Sequence, residues 1–419
     1  MENDVIVIGG GPAGLMAAGR AAELGAKVLL VEKTYRVGSK LLITGGGRCN
    51  ITNSAGIKGF IEAFGLEGKG RFLYRALSVF SNKDLVSFFA ERGLNMRTDP
   101  DGKIFPVNDS AESVLEVLRD YIKKNGVRLT HNCDVKEIIL SKDKKTAAGI
   151  RLADGEELAA SSIIIATGGL SYPKTGSNGN GYTFAKQCGH KVASLRPALV
   201  PLESDDPFIK GLQGVTLKDV HLTLVIDKQK ACSQYGDILF THFGVSGPKV
   251  LILSGEAADA LAEDRNVELS INFRAQYNAQ ELDKILQTHW VSYGNKTFRS
   301  YVRDAFPESF AKVFEEACGV KEGAKCCMIS RQERGRISEK FTDFRVHITK
   351  TRPIEEATIT RGGVNLNELD PQTMRSRIID NLYFCGEVID LDGITGGYNL
   401  QEAFSTGYLA GESAGRKDK

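Results

Sequence analysis

The sequence predicts an α/β fold in which a Rossmann-like dinucleotide-binding domain is interrupted by an insertion. Three observations predict it. A full strand, glycine turn, helix and strand unit occupies residues 5–32, VIVIGGGPAGLMAAGRAAELGAKVLLVE. Two further apolar runs end in glycine far along the chain, at 163–169 and 382–387. Between them the pattern changes to short alternating runs and then to helical spacing. A chain of 419 residues is also long enough for two or three cores.

Val5, Ile6, Val7 and Ile8 suit a strand buried on both faces, and the glycine turn follows at once. Gly9 permits the tight turn, Gly11 lets backbone approach a pyrophosphate, and Gly14 lets the helix that starts at Pro12 and Ala13 pack on the strand. That helix stops at Gly25, and Val28 to Val31 return to Glu32, whose carboxylate suits the ribose hydroxyls of an adenosine, with Lys33 beside it. Residues 38–53 then hold three consecutive glycines, which make a poor helix or strand interior. Gly45, Gly46 and Gly47 can turn backbone N–H groups toward an anion. Lys40 and Arg48 add charge, and Thr44, Asn50, Thr52 and Asn53 add directional hydrogen bonds.

Helical spacing returns over 84–93 and 112–125, and residues 127–140 read as one strand with Val135 in its middle. Ile163 to Ile165 form a second buried strand that ends in Thr167, Gly168 and Gly169. Leu382 to Phe384 form a third that ends in Gly386 and Glu387. Strand ends so far apart in sequence converge only as neighbours in one sheet. Gly396 and Gly397 next open a helix through Tyr398, Asn399 and Leu400. Its N-terminus suits the electron-rich N1/C2=O edge of a reduced flavin, which NAD lacks, so the expected cofactor is FAD.

Composition narrows the function classes. A net charge of +2 with 25% charged residues implies no strongly basic face, so nucleic acid is not the favoured partner. The opening VIVI run is short and without a basic leader, and no apolar run approaches the roughly 20 residues that span a bilayer, so the expected location is the cytoplasm. Eight cysteines show no CxxC spacing, so neither a zinc site nor a disulfide framework is expected.

The segments ITGGGRCNITN, LFTHFGVSGP, TITRGGVNL and LYFCGEVIDLDGITGGYNLQEAFSTGYLAG resemble signatures of the BaiN/YhiN-like family of bacterial FAD flavoproteins. The resemblance covers essentially the whole chain. It implies an FAD domain of the two-dinucleotide-binding flavoprotein type, an insertion with a β-barrel-like part and a helical part, and an oxidoreductase activity that in one branch is bile-acid enone reduction. By analogy with such flavoproteins, Val135 offers backbone to the adenine. The expected division is 1–193 for the first part of the FAD domain, 194–274 for a β-rich subdomain, 275–341 for a helical subdomain, and 342–419 for the second part of the FAD domain. Alternating runs such as VHLTLVI at 220–226, and helical spacing of Ile285, Phe298, Val302, Phe310 and Val313, support that interruption independently.

The chemistry depends on what faces the flavin. Disulfide reductases of similar fold bring a pair of cysteines there, whereas the comparable region of this chain supplies Cys49 alone. GSNGNG at 176–181 has neither the order nor the preceding strand of a second dinucleotide motif, so NAD(P)H is expected as a transient donor without a standing Rossmann site. Tyr172, Lys174, His242, Arg361 and Tyr398 lie beside glycine-rich turns and are the candidate proton donors and anchors, with His242, Arg361 and Tyr172 foremost. The leading expectation is hydride transfer between flavin N5 and a small organic substrate, in particular an enone-type C=C reduction. Two alternatives are a flavin-dependent RNA-modifying enzyme, for which 321–352 carries nine Lys/Arg against four Asp/Glu, and a non-catalytic flavin sensor.

Overall fold

The computed structural model describes residues 3–65 and 68–416. The chain forms two compact units, Met1–Arg196 with Thr358–Lys419, and Pro197–Ala357. Among the described residues, no helix is long and apolar enough to cross a membrane.

The first unit is built on β1 (Asn3–Ile8), α1 (Pro12–Glu23), β2 (Val28–Val31), α2 (Ala111–Lys124), β3 (Arg128–Thr130), β4 (Val135–Leu140), β5 (Ala147–Leu152), β6 (Glu157–Ile165), β7 (Leu382–Phe384) and α3 (Tyr398–Gly415). Seven strands make one sheet in the order β3-β2-β1-β6-β5-β4, with β7 also paired to β6. β1 pairs in parallel with both β2 and β6. β6 serves two neighbours on its far side: residues 157–159 pair antiparallel with β5, and Ile163, Ile164 and Ile165 pair in parallel with β7. The pattern of the strand explains the division. Its first half alternates in burial, whereas the three isoleucines are all buried and demand cover on both faces.

One sequence expectation is corrected here. Residues 127–140 form two strands, because the chain turns at Asn132, whose φ is +51°. In that turn Cys133 N–H donates to the Glu32 carbonyl (3.0 Å) and Ala153 N–H to that of Asp134 (2.9 Å). β3 therefore extends the parallel sheet, while β4 opens an antiparallel hairpin with β5.

The two ends of the chain are joined by a helix seam. Gly407, Gly411 and Gly415 of α3 face Ala13, Ala17 and Ala21 of α1, both sets repeating every fourth residue. A Cβ on Gly407 would stand 2.3 Å from the Ala13 carbonyl oxygen, and one on Gly411 would stand 2.3 Å from that of Ala17. The helices thus meet backbone to backbone. Arg20 completes the seam, lying 4.6 Å from the Tyr408 ring centroid and 3.3 Å from Glu412.

The second unit carries a seven-stranded sheet in the order 344–348, 267–272, 216–226, 229–240, 244–246, 202–203, 350–351. Its two edge strands are consecutive in the chain, separated by Thr349 alone, whose N–H donates to Glu203 O (3.0 Å). The sheet therefore curls until its edges meet, which is a barrel-like closure. Phe344, Val346 and Ile348 are buried and pair with Val267 to Ile271, so this strand closes the insertion and the return to the first unit comes at Thr358, later than 342. A helix, Pro248–Ala262, sits inside the β-rich stretch and starts at proline after Gly247. The helical stretch is likewise not a separate body: Phe310 and Phe314, from Glu308–Ala317, share one core with Leu222, Phe273 and Phe344 of the strand region.

The seam generates a clear expectation. Gly→Ala inside a helix ordinarily stabilises by about 1 kcal/mol through propensity. At Gly411 the added methyl meets the Ala17 carbonyl, so Gly411→Ala should instead destabilise by about 1–3 kcal/mol in thermal or denaturant unfolding. A gain in stability would show that the helices are not in backbone contact.

α3 also buries Glu402 completely, and burial raises its carboxyl to about 8 from an ordinary 4.5, with Glu387 raising it further and the Thr406 hydroxyl lowering it. The native state then holds a proton that the unfolded chain releases. Its contribution is full below about pH 4.5 and declines as pH rises toward 8, by up to about 1.4 kcal/mol per unit. Glu402→Gln should raise stability at pH 8 relative to pH 5. Parallel pH profiles for variant and wild type would contradict this.

Candidate cofactor site

The parallel strands deliver their carboxyl ends to one edge of the sheet, where α/β folds bind ligands. Gly9 follows β1 with φ +104°, and a Cβ there would lie 2.5 Å from the Ala166 carbonyl oxygen that follows β6. At Gly14 a Cβ would lie 1.8 Å from Gly9 O, so glycine is what lets α1 close on the turn. Gly11 is different: a Cβ there would meet nothing within 4 Å, so this backbone faces open space at the start of α1. No side chain caps that helix, and Pro12 opens it, so the N–H groups of Ala13 and Gly14 belong to an uncapped first turn. These features fit a pyrophosphate.

Glu32 follows β2, buried. Its Oε2 accepts Gly10 N–H (2.8 Å), and its Oε1 accepts the N–H (2.8 Å) and hydroxyl (2.7 Å) of Thr34. A carboxylate has about four acceptor positions, so capacity for a ribose hydroxyl remains. Beside it, burial lowers the Lys33 ammonium, opposed by the charges of Asp134 and Glu32. Val135 opens β4 opposite Leu152, two residues beyond the Cys133 N–H that binds Glu32 O.

Gly45, Gly46 and Gly47 take successive left-handed φ values of +58°, +68° and +90°, which side chains would oppose. Thr44 precedes them, its hydroxyl donating to Leu41 O (2.6 Å). Cys49 beyond them is fully buried, and burial pushes its thiol up to about 12, so it is no thiolate nucleophile at neutral pH. Several polar groups of this segment have protein partners. Lys40 Nζ donates to Glu387 (2.7 Å) and Ser171 (2.6 Å), the Arg48 guanidinium lies 4.8 Å from the Phe105 ring centroid, and Asn50 Oδ1 accepts Ile104 N–H (3.2 Å). Each satisfies a tertiary partner that local sequence cannot show. The hydroxyls of Thr52 and Thr167 are buried by protein without a hydrogen-bond partner among the described residues, and a Cβ on Gly181 would stand 2.0 Å from that of Thr167.

The turn from β6 through Thr167, Gly168 and Gly169 meets the turn from β7 through Gly386 and Glu387. A Cβ on Gly169 would stand 2.8 Å from Glu387 Oε1. Gly397 caps α3 with φ +92°, and a Cβ there would lie 2.3 Å from Thr52 O, so segment 50–53 packs directly under this turn. Asn399 closes the loop before it through Gly393 N–H (2.8 Å) and Gly393 O (2.9 Å). Tyr398 sets its ring edge-on against Phe60 at 5.1 Å, and burial raises its hydroxyl; Leu400 is half-buried.

The acidic stretch after β7 draws cations from three segments: Lys40 to Glu387, Lys69 to Asp390 (3.0 Å) and Arg361 to Asp392 (3.2 Å). Arg361 is thereby an anchor of this loop. Tyr172 lies in the β6 loop with φ +53° and is exposed, followed by exposed Lys174. His242 belongs to the other unit. It too is exposed, and Thr241 rather than His242 closes its loop, through Gly244 N–H (3.1 Å) and O (3.2 Å). Thr360 and Ser171 are the residues the sequence reading missed. Thr360 Oγ1 accepts both Leu170 N–H (2.7 Å) and Ser171 N–H (3.2 Å), and its place beside Arg361 in TITRGG was the available signal.

Comparison with known proteins places this geometry. The model of the HI0933-like protein Rossmann domain matches residues 3–413. The chain is 31% identical over 420 residues to the 3-dehydro-bile acid delta(4,6)-reductase of Clostridium scindens, covering 99% of this chain and 100% of that one. It is 30% identical over 411 residues to the ribosomal RNA dihydrouridine synthase of Escherichia coli K12, covering 98% and 97%. Among solved structures, 3-ketosteroid-delta4-(5alpha)-dehydrogenase from Rhodococcus jostii RHA1 shares the fold, with a TM-score of 0.54 at 16% identity over 99% of this chain and 97% of that one. The chain belongs to the HI0933-like family, the BaiN/YhiN group its signatures resemble, and is an FAD-dependent oxidoreductase.

Proposed function

We propose that this enzyme reduces a C=C bond conjugated to a carbonyl in a small organic substrate, with NAD(P)H as the transient electron donor. The carrying observation is that relatives matched over nearly their whole length have names sharing one bond chemistry. A 3-dehydro-delta(4,6) bile acid is a conjugated ketone, and dihydrouridine is uridine saturated at the double bond beside a carbonyl. FAD, when bound and first reduced by NAD(P)H, would supply a hydride from N5 to the carbon remote from that carbonyl and return to its oxidised form. The chain's own residues do the rest. The Gly9 to Gly14 turn and Glu32 take the AMP half. Gly46, Gly47, Thr52, Thr167, Gly168, Gly397 and their neighbours surround the flavin half. Tyr172 is our candidate to protonate the second carbon, a role its exposed phenol suits better than the guanidinium of Arg361, which stays charged.

RNA is the second reading, favoured by the dihydrouridine synthase relatives. The two readings separate in one experiment. Enzyme reduced by NADH or NADPH without oxygen is mixed with a steroid 4-en-3-one, an isolated alkene of similar size, and uridine-containing RNA. Flavin reoxidation by the enone alone is expected. Reoxidation by RNA alone would replace the first reading with the second.

The cofactor placement has its own test. Acid should release FAD and not FMN from the purified protein. Because a side chain at Gly11 enters open space, Gly11→Leu should leave the protein folded by circular dichroism yet colourless, through exclusion of the pyrophosphate. A folded variant with full FAD content would move the site elsewhere.

A further inference from the structure

One carboxylate ties four segments of the cofactor edge together. Glu387 Oε1 accepts Thr360 N–H (2.8 Å) and the Ser171 hydroxyl (3.1 Å), while Oε2 accepts the Lys40 ammonium (2.7 Å). Lys40 Nζ also donates to Ser171 Oγ (2.6 Å). Gly169 makes this possible, since a Cβ there would stand 2.3 Å from Thr360 Oγ1 and 2.8 Å from Glu387 Oε1. The pair is largely withdrawn from water: the Lys40 and Glu387 side chains are 20% and 19% exposed. Such an arrangement exceeds what is needed to hold a turn. Thr360 Oγ1 already fixes the turn by accepting two successive backbone N–H groups. What the ion pair adds is balance, one positive and one negative charge placed together at the strand ends.

We propose that Lys40 and Glu387 are positioning residues that keep the flavin crevice electrically neutral and so set the electron affinity of bound FAD. Reduction brings negative charge into the crevice. With both partners present, their fields largely cancel there. With either one removed, an unscreened unit charge remains beside the turn that follows Gly168, in surroundings less polarisable than water. A lone carboxylate opposes flavin reduction and a lone ammonium favours it. The sign of each effect is therefore fixed whichever partner lies nearer the ring. This inference rests on FAD occupying the crevice and is independent of the substrate.

The test is a dye-coupled titration of the FAD-loaded full-length protein, with bound FAD quantified and no substrate present, so the outcome does not depend on enone reduction. Lys40→Met should lower the midpoint potential, Glu387→Gln should raise it, and Lys40→Arg should stay near wild type. Loss of the turn's structure would move both variants alike, because it acts through looser cofactor binding. Shifts of the same sign, or no shift in either loaded variant, would overturn the proposal. Should a single variant fail to retain FAD, the double variant Lys40→Met/Glu387→Gln decides, since it restores neutrality. Recovery of FAD and of a near wild-type potential is the expected result. A double variant no better than the worse single one would overturn the balance argument.

Discussion

The first unit depends on the approach of α1 to α3, two helices from opposite ends of the sequence. Ala13, Ala17 and Ala21 meet Gly407, Gly411 and Gly415 with no side-chain atoms between the backbones at the closest points. Dispersion between such surfaces grows steeply as separation falls, so a seam of small residues gains contact that larger side chains would forfeit. Its consequence reaches the cofactor edge. α1 starts at the Gly11 turn and α3 starts at Gly397, so fixing one helix against the other also fixes the two helix N-termini that the flavin nucleotide would address. β6 supports the same union from the sheet, with β1 on one side and β7 on the other.

Charge organises what the seam brings together. Glu387, Asp390 and Asp392 follow β7 within eight residues, and each takes a cation from a distant segment. An isolated carboxylate in this partly buried place would incur desolvation without return, whereas a paired one also specifies where the partner segment lies. Three such pairs tie the stretch before Gly393 to the segments holding Lys40, Lys69 and Arg361. Asn399 finishes it through its amide contacts to Gly393.

These features were unequally legible in the sequence. Gly9, Gly14 and the three strand ends were readable because their requirements are local: a positive φ, a buried apolar run, a turn at its end. The convergence of 163–165 with 382–384 followed from topology alone. Lys40, Arg48 and Asn50 are readable as polar groups in a glycine-rich loop, but their orientation is decided by Glu387, Phe105 and Ile104, which lie far away in sequence. The glycine stripe of α3, spaced by four, formed no part of the sequence expectation. Its meaning needed the alanine stripe on α1, nearly the whole chain away. The strand 344–348 showed its alternation plainly, yet only its pairing with 267–271 assigns it to the insertion rather than to the domain that follows.

The way the insertion leaves and returns explains why the first unit tolerates it. Ala193 N–H donates to Gly363 O (2.8 Å), Val192 bridges Val364, and a Cβ on Gly362 would stand 2.3 Å from Ser194 O. The outgoing and incoming chains are therefore joined to each other before either departs from this unit. Glycine at 362 and 363, both at positive φ, permits that close approach. A domain whose ends are held together in this way presents to its host nothing more than a long loop whose closure is already made, so the cost of joining 196 to 358 is borne locally and hardly depends on what lies between them. The constraint also runs outward. Thr360 and Arg361, which clamp Ser171 and Asp392, lie immediately before the paired glycines, so this junction registers two residues of the cofactor edge as well as closing the loop.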